Sequence, residues 1–171
     1  MKLIETLIDF FILTLIAFVC IITFAFQRSI HRNEPLYIDP AFKDHFSDFD
    51  SDAKKYKVVP LYANLTTTFV DDIADGVLAY CIPKFNIVKV SKKKWDILDE
   101  ESKRLLLYHE WGHCALRRNH VVDDYSFNLF YLCPSSIMYP YIDPVSACYQ
   151  RGKTWYDKEL FTNPNKKEII P

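Results

Sequence analysis

The sequence predicts an α+β fold in which an N-terminal apolar helix is followed by a small mixed sheet packed on one central helix, with further helices at the C-terminal end. Three observations carry this prediction. The chain of 171 residues has an uncharged run over residues 10–26. Four β-prone segments lie between residues 58 and 90, and a helical pattern follows over residues 99–116. Half of the residues are hydrophobic and only three are glycine, so the composition is that of a folded chain.

Residues 1–27 are predicted to form a membrane anchor. The run from Phe10 to Phe26 contains 17 residues without a charge. That is the lower end of the length that spans a bilayer, and it exceeds the usual apolar core of a cleaved signal peptide. A buried core helix and a cleaved signal are the alternatives. The prediction is therefore a single-pass N-terminal transmembrane helix, with the catalytic part of the chain in the periplasm or outside the cell.

Residues 28–56 are predicted to be a polar tether. The segment contains Pro35, Pro40 and an Asp-rich stretch over residues 44–52. We interpret that stretch as a solvated loop, because it lacks the glycine and the terminal glutamate of a calcium-binding EF-hand loop. The folded domain is then expected to occupy residues 57–171.

Charge excludes one class of partner. The chain has 21 basic and 22 acidic residues, and its first 27 residues hold one basic and two acidic ones, so 20 of each remain in the rest. A balance of zero does not provide the basic surface that nucleic-acid binding needs. No nucleic-acid partner is therefore predicted.

The predicted domain begins with strands and ends with helices. Its β-prone segments are residues 58–62, 66–70, 77–82 and 86–90, with Asp75-Gly76 as a turn. Near the C-terminus, Asp143-Pro144 is typical of a helix start, and residues 155–161 form a short amphipathic pattern. The central helix lies between these two groups.

The central helix carries the predicted chemistry. Asp99 is expected to cap its N-terminus, and its second half reads His109-Glu110-Trp111-Gly112-His113. Two histidines four residues apart lie on one face of a helix, where both imidazoles can reach one tetrahedral metal ion. Glu110 is placed to accept a proton from water activated by the metal, while Gly112 allows close packing of the helix.

This motif, together with His120 and the segment Ser136-Ile137-Met138-Tyr139-Pro140, resembles the metzincin zinc peptidases. The resemblance implies that His109, His113 and His120 bind Zn²⁺ and that Met138 forms an apolar floor beneath it. One feature departs from the family pattern, since six residues without a glycine separate the second and third histidines instead of five with one glycine. This longer spacing is similar to that of predicted bacterial and phage peptidases of H-E-L-G-H-C type.

The longer spacing leaves the chain reversal and the third ligand open. Asn119 could adopt the left-handed conformation that the glycine supplies in the family. Asp123 or Asp124 is the alternative third ligand.

The predicted function is a zinc-dependent endopeptidase in which Glu110 is the general base and a peptide or protein is the substrate. An extended peptide is expected to add to the edge of the sheet near residues 77–81. The alternative function is a membrane-anchored binding or structural module with a non-catalytic zinc site. Glu110 disfavours that alternative, because a purely structural site does not need a carboxylate at this position.

Four cysteines outside the apolar run predict two disulfides. They are Cys81, Cys114, Cys133 and Cys148. An even number of cysteines in an exported domain is typical of disulfide pairing, and three pairings are possible.

Overall fold

The computed structural model describes residues 11–23, 33–71, 73–122, 125–128 and 131–162. The chain divides into two compact units, residues 1–34 and residues 35–171. In the first unit, helix α1 covers the described residues 11–23. Hydroxyl groups within this helix bond to its own carbonyl oxygens, as Thr14 Oγ1 does to the oxygen of Phe11 at 2.8 Å.

The predicted membrane anchor is wrong. Among the residues that the structure describes, no helix has the length and apolar character that crossing a membrane requires. The described part of α1 has 13 residues. The N-terminal transmembrane helix, the membrane as a partner and the single-pass membrane localisation are all corrected by this finding.

The second unit contains the small mixed sheet that the sequence predicts. Its strands are β1 (Tyr37–Ile38), β2 (Thr66–Val70), β3 (Ala79–Ile82) and β4 (Ile87–Ser91), in the order β1-β2-β4-β3. Strands β1, β2 and β4 are parallel, and β3 is antiparallel to β4 at the edge of the sheet. The α+β class and the mixed sheet are therefore confirmed.

Residues 35–56 belong to this unit, so the predicted tether is wrong over that range. Pro40–Phe42 form a 3₁₀ turn capped by Asp39, and helix α2 follows over Lys43–Lys55. Phe42, Phe49 and Ala53 are buried, and Phe46 packs against the same core. These four residues are spaced four, three and four apart, which is the period of one helix face. The acidic residues between them occupy the other faces and conceal that period in the sequence.

The central helix, α4 (Glu100–Ala115), follows the short helix α3 (Lys92–Trp95). Asp99 caps α4 as predicted, because its Oδ1 accepts a hydrogen bond from the backbone N–H of Ser102 at 2.7 Å. The helix is buried on nearly every side from Leu105 to Gly112. Trp111 joins it to the sheet by donating its indole N–H to Thr67 Oγ1 of β2 at 3.0 Å.

One predicted strand is absent, although residues 58–62 are β-prone. In the structure this segment is a loop, and its Leu61 N–H donates to the oxygen of Ala115 at 2.8 Å. The loop therefore satisfies one of the carbonyls left open at the end of α4 instead of pairing with another strand. The predicted turn at Asp75-Gly76 is confirmed, with Gly76 at φ +80°.

The C-terminal part contains a hairpin that the sequence analysis missed and a kinked helix. Strands β5 (Tyr125–Asn128) and β6 (Tyr131–Pro134) form an antiparallel pair. Helix α5 then covers Ile142–Thr162, with a kink where Gly152 has non-helical dihedral angles of φ −121° and ψ 21°. The two predicted C-terminal helices are therefore the two arms of this one element.

Both predicted disulfides are present, and the structure selects one of the three possible pairings. Cys81 of β3 is bonded to Cys114 of α4, so the edge strand is tied to the central helix. Cys133 of β6 is bonded to Cys148 of α5. Each covalent bond thus joins a strand to one of the two long helices of the second unit.

Candidate metal centre

Three histidines converge at the C-terminal half of α4. His109 and His113 lie on one face of the helix, and His120 reaches them from the chain segment that follows. The Nε2 atom of His109 is 3.1 Å from Nε2 of His113 and 3.2 Å from Nε2 of His120. One nitrogen from each ring lies within 4.8 Å of the others. The structure therefore brings together all three histidines that the sequence analysis selected.

The remaining nitrogens of the two helical histidines fix the tautomers of their rings. His109 Nδ1 lies 2.9 Å from the carbonyl oxygen of Ile137, and His113 Nδ1 lies 2.6 Å from that of Arg118. A carbonyl can only accept, so each Nδ1 carries the proton and donates it. In the neutral rings both Nε2 atoms are then unprotonated, and their lone pairs face each other.

Facing lone pairs repel each other unless a cation lies between them. Two nitrogens that each bind Zn²⁺ at about 2.05 Å in tetrahedral geometry are about 3.3 Å apart, which is close to the observed separations. The three histidines therefore fit a metal ion and could hold one. Nδ1–H groups held by backbone carbonyls are the usual outer support of metal-binding histidines.

The pKa values of these rings favour the neutral form that binds metals. Burial lowers the pKa of His109 to about 3, and the neighbouring His113 acts in the same direction. Burial also lowers the pKa of His113 and of His120. All three nitrogens are therefore available as ligands without first losing a proton.

The chain reversal between the second and third histidines differs from the expectation. Arg117 adopts the left-handed conformation at φ 57°, and Asn119 is not among the residues with positive φ. The N–H of Arg118 then donates to the carbonyl oxygen of Gly112 at 2.9 Å, which closes the end of α4. The chain therefore reverses at Arg117, directly after the end of α4, and the residues that follow lead to His120 at the site.

Glu110 is buried beside the histidines and lines the same cleft. Burial raises the pKa of its carboxyl to about 8, while a hydrogen bond from the backbone N–H of Cys81 acts against that increase. A divalent cation in the site would favour the carboxylate form and lower this pKa. A bound cation would therefore shift Glu110 towards the ionised form, which can accept a proton.

Met138 lies against the helix that carries the motif. A Cβ atom added to Gly112 would lie 2.6 Å from the Met138 sulfur and 3.1 Å from Leu160 Cδ1, so the glycine permits the close packing that the sequence analysis expects of it. The Met138 backbone is held on both sides, because its N–H donates to Ser136 Oγ at 3.0 Å and its oxygen accepts from Val121 N–H at 3.0 Å.

The site opens into a cleft of about 510 Å³. Strand β3 forms one wall, Pro140 and Tyr141 lie on another, and Leu106 contributes an apolar surface. Tyr141 is 67 % exposed, so its ring is accessible from solvent. An extended chain in this cleft would lie alongside the histidines and Glu110.

Sequence reasoning missed the residues that support the histidines from outside. These are the buried Arg118 and Ser136 and the largely buried Glu159, which are joined by hydrogen bonds. These residues are far apart in the chain, so no local sequence pattern predicts their contact. Only Arg118 lies close to one of the predicted ligands, His120. The alternative ligands Asp123 and Asp124 lie outside the described residues.

The arrangement is a set of three imidazole nitrogens with a buried carboxylate, at the base of an open cleft. Comparison of the chain with protein-family models, with curated proteins and with solved structures finds no match. The chemical interpretation of the site therefore depends on its own geometry: a candidate metal centre of His109, His113 and His120.

Proposed function

We propose that this protein is a zinc-dependent endopeptidase. The observation that carries the proposal is the convergence of three neutral histidine nitrogens with the buried carboxyl of Glu110 in one open cleft. A metal that only stabilises a fold is normally enclosed by four protein ligands, whereas a catalytic zinc has three and leaves one position open.

Zinc is the metal proposed for this donor set. Imidazole nitrogens suit Zn²⁺, and three of them form a common catalytic site. The sequence also resembles the metzincin peptidases in the histidine motif and in the turn around Met138. When bound, zinc would supply a Lewis acid that polarises the substrate carbonyl and acidifies water.

Glu110 is proposed as the general base. Its carboxylate would take a proton from the attacking water and return it to the nitrogen of the leaving amine. The backbone amide of Cys81 in the edge strand is close enough to the carboxyl to act on its pKa. The same contact places the base next to the strand where we expect the substrate.

The edge strand β3 is proposed to bind the substrate backbone. Among the described strands, β3 pairs with β4 alone, so its outer edge is available for an added strand. An extended peptide would gain main-chain hydrogen bonds there, with its side chains pointing alternately into and out of the cleft. The Cys81–Cys114 disulfide keeps that edge close to α4, and therefore close to the histidines.

The competing proposal is a binding module whose metal site is not catalytic. It explains the three histidines but not the buried Glu110, whose carboxyl reaches none of the ligand nitrogens by a hydrogen bond in the described structure. Burying a carboxyl group removes its hydration and so lowers the free energy of unfolding unless other interactions compensate. The peptidase proposal explains its presence, because a general base is needed beside the metal.

The substitution Glu110→Gln tests the proposal. The amide has nearly the same volume as the carboxyl, so the fold and bound zinc should be retained, while cleavage of an unfolded protein should fall by at least 10² to 10⁴-fold as the base is lost. Zinc content by metal analysis, circular dichroism and the cleavage rate are measured on the same preparations.

His109→Ala serves as the matched variant, since it should lose the metal as well as the activity. A Glu110→Gln protein that cleaves as fast as the unsubstituted chain would contradict the peptidase proposal. Full zinc occupancy in His109→Ala would contradict the metal site itself.

A further inference from the structure

Two backbone carbonyls orient the helical histidines, and they belong to two separate loops. The Ile137 oxygen accepts from His109 Nδ1, and the Arg118 oxygen accepts from His113 Nδ1. The directions of both Nε2 lone pairs therefore depend on how these two loops are held relative to α4.

One carboxylate on α5 holds both loops. Glu159 Oε1 accepts from the guanidinium of Arg118 at 2.6 Å, and Glu159 Oε2 accepts from the Ser136 hydroxyl at 2.9 Å. The Ser136 Oγ in turn accepts from the N–H of Met138 at 3.0 Å, which fixes the turn whose central residue is Ile137. One oxygen of Glu159 thus binds the side chain of Arg118, whose own carbonyl orients His113. The other oxygen binds Ser136, which precedes the Ile137 carbonyl that orients His109.

The pair is deeply buried. The side chains of Arg118 and Glu159 are 2 % and 9 % exposed. The guanidinium also donates to the backbone oxygens of Glu159 and Leu160, so it satisfies carbonyls at the C-terminal end of α5. Burying two charges costs desolvation energy that their attraction often fails to recover, so stability alone is a weak reason for this pair.

We propose that Glu159 is a positioning residue of the metal site: through Arg118 and Ser136 it fixes the two carbonyls that aim His109 and His113 at the metal. The inference rests on the proposed function for the identity of the metal as zinc. A merely structural role, in which the pair only secures the end of α5, predicts a change in stability without a change in the metal site.

The substitution Glu159→Gln separates these roles in the full-length chain. The amide keeps the shape of the side chain but removes its charge and replaces one acceptor oxygen by an NH2 donor. The ion pair with Arg118 is then lost, and the Ser136 hydroxyl must change from donor to acceptor to stay bonded. Asp157→Asn is the matched control, since Asp157 is a buried carboxylate on the same helix that bonds to Tyr149 and Lys153 instead.

Three quantities are measured on each variant. Competition with a chromophoric chelator gives the dissociation constant of zinc. The visible spectrum of the Co²⁺-loaded protein reports the geometry of the ligands. Thermal unfolding of the chelator-treated protein reports stability without metal. None of these readouts depends on peptidase activity.

We expect Glu159→Gln to weaken zinc binding by about 10 to 100-fold and to change the cobalt spectrum, as is typical when outer support of a ligand is lost. Asp157→Asn should lower the melting temperature and leave both metal readouts unchanged. A folded Glu159→Gln protein with the zinc affinity and cobalt spectrum of the unsubstituted chain would overturn the inference.

A second variant decides the matter if Glu159→Gln does not fold. Ser136→Ala leaves the buried ion pair intact and breaks only the link to the Met138 turn, and it should weaken zinc by several-fold with an altered cobalt spectrum. Unchanged metal readouts in this variant would refute the proposed positioning. If the unsubstituted chain binds no zinc, the proposed function fails together with this inference, whereas tight zinc binding insensitive to both variants removes the inference alone.

Discussion

At the scale of residues, the tautomers of the histidines determine what the site can bind. Because the Nδ1–H groups of His109 and His113 donate to backbone carbonyls, their Nε2 lone pairs are left to bind a cation or to accept a hydrogen bond. Burial makes the proton unfavourable at His109, whose pKa is about 3. A metal ion bound by both nitrogens would account for their 3.1 Å approach.

His120→Ala tests the third ligand. We expect zinc binding to weaken by roughly 100-fold or more, because the ~10–16 kcal/mol of a protein zinc site is shared among three or four ligands. His45→Ala is the control for loss of a histidine, since His45 contacts Trp95 on α3 and not the site. Zinc competition titrations measure both variants, and unchanged affinity in His120→Ala would move the third ligand to Asp123 or Asp124.

Gly112→Ala tests how closely the turn around Met138 packs on α4. The new methyl group would lie 2.6 Å from the Met138 sulfur, so the Met138 side chain, its turn or the helix must shift. We expect a loss of about 1–3 kcal/mol in the free energy of unfolding, measured by chemical denaturation. Gly152→Ala is the matched control, because its methyl group would meet nothing closer than 3.5 Å and should change stability by less than ~0.5 kcal/mol. Equal stability of the two variants would show that the contact is not restrictive.

At the scale of elements, helix α4 connects the candidate metal ligands to the edge strand of the sheet. It carries His109, Glu110 and His113, and it is bonded covalently to the edge strand β3 through Cys114. The backbone amide of Cys81, the other half of that bond, also acts on the Glu110 carboxyl by lowering its pKa. The strand that we propose to bind the substrate and the group that we propose as the base therefore line the same cleft.

Replacing the Cys81–Cys114 pair by alanines should lower activity more than replacing the Cys133–Cys148 pair. The sequence separations are 33 and 15 residues, so loop-closure entropy predicts losses of about 4 and 3 kcal/mol in unfolding free energy. These stability costs are similar, which makes the second pair a matched control. Cleavage rates are compared at a temperature where both variants are folded by circular dichroism, and we expect about a tenfold larger loss for the Cys81–Cys114 variant. Equal losses would argue against a role of β3 in substrate binding.

At the scale of the whole molecule, the candidate metal centre joins parts of the second unit that are distant in sequence. The helix α4 supplies two ligands, the following loop supplies the third, and the Met138 turn and α5 support them from behind. A ligand that binds only the folded state stabilises it in proportion to the logarithm of its concentration over its dissociation constant. Metal binding should therefore be visible as global stability.

Removal of zinc with a chelator should lower the melting temperature by roughly 10 °C. The estimate follows from about 2.7 kcal/mol of stabilisation at a zinc concentration 100 times the dissociation constant, with a few degrees of melting temperature per kcal/mol. Differential scanning calorimetry of the full chain with and without chelator measures the shift, and added zinc should restore it. His109→Ala should show no shift, and a shift of equal size in that variant would place the stabilising metal elsewhere.

The sequence alone determined the parts of this protein that depend on local spacing. The cap at Asp99, the helix through the histidine motif, the β-prone runs around β2, β3 and β4 and the number of disulfides all follow from residues close together in the chain. Three histidines could be selected because two are one helical turn apart and the third follows within seven residues. The tether was wrong because composition does not report packing: the acidic residues of α2 hide a buried aromatic face. The transmembrane helix was wrong because no described helix has the length and apolar character that crossing a membrane requires.

Only the tertiary structure decided which distant residues meet. The pairing of the cysteines, the choice of Arg117 over Asn119 for the chain reversal, and the contact of Glu159 with both Arg118 and Ser136 depend on how α5 packs against the end of α4. No local pattern encodes these contacts, because their free energy comes from burying side chains that are brought together only when the whole unit folds. One helix and the loop after it thus supply the histidines of the candidate site, while the orientation of their rings depends on the packing of the whole unit.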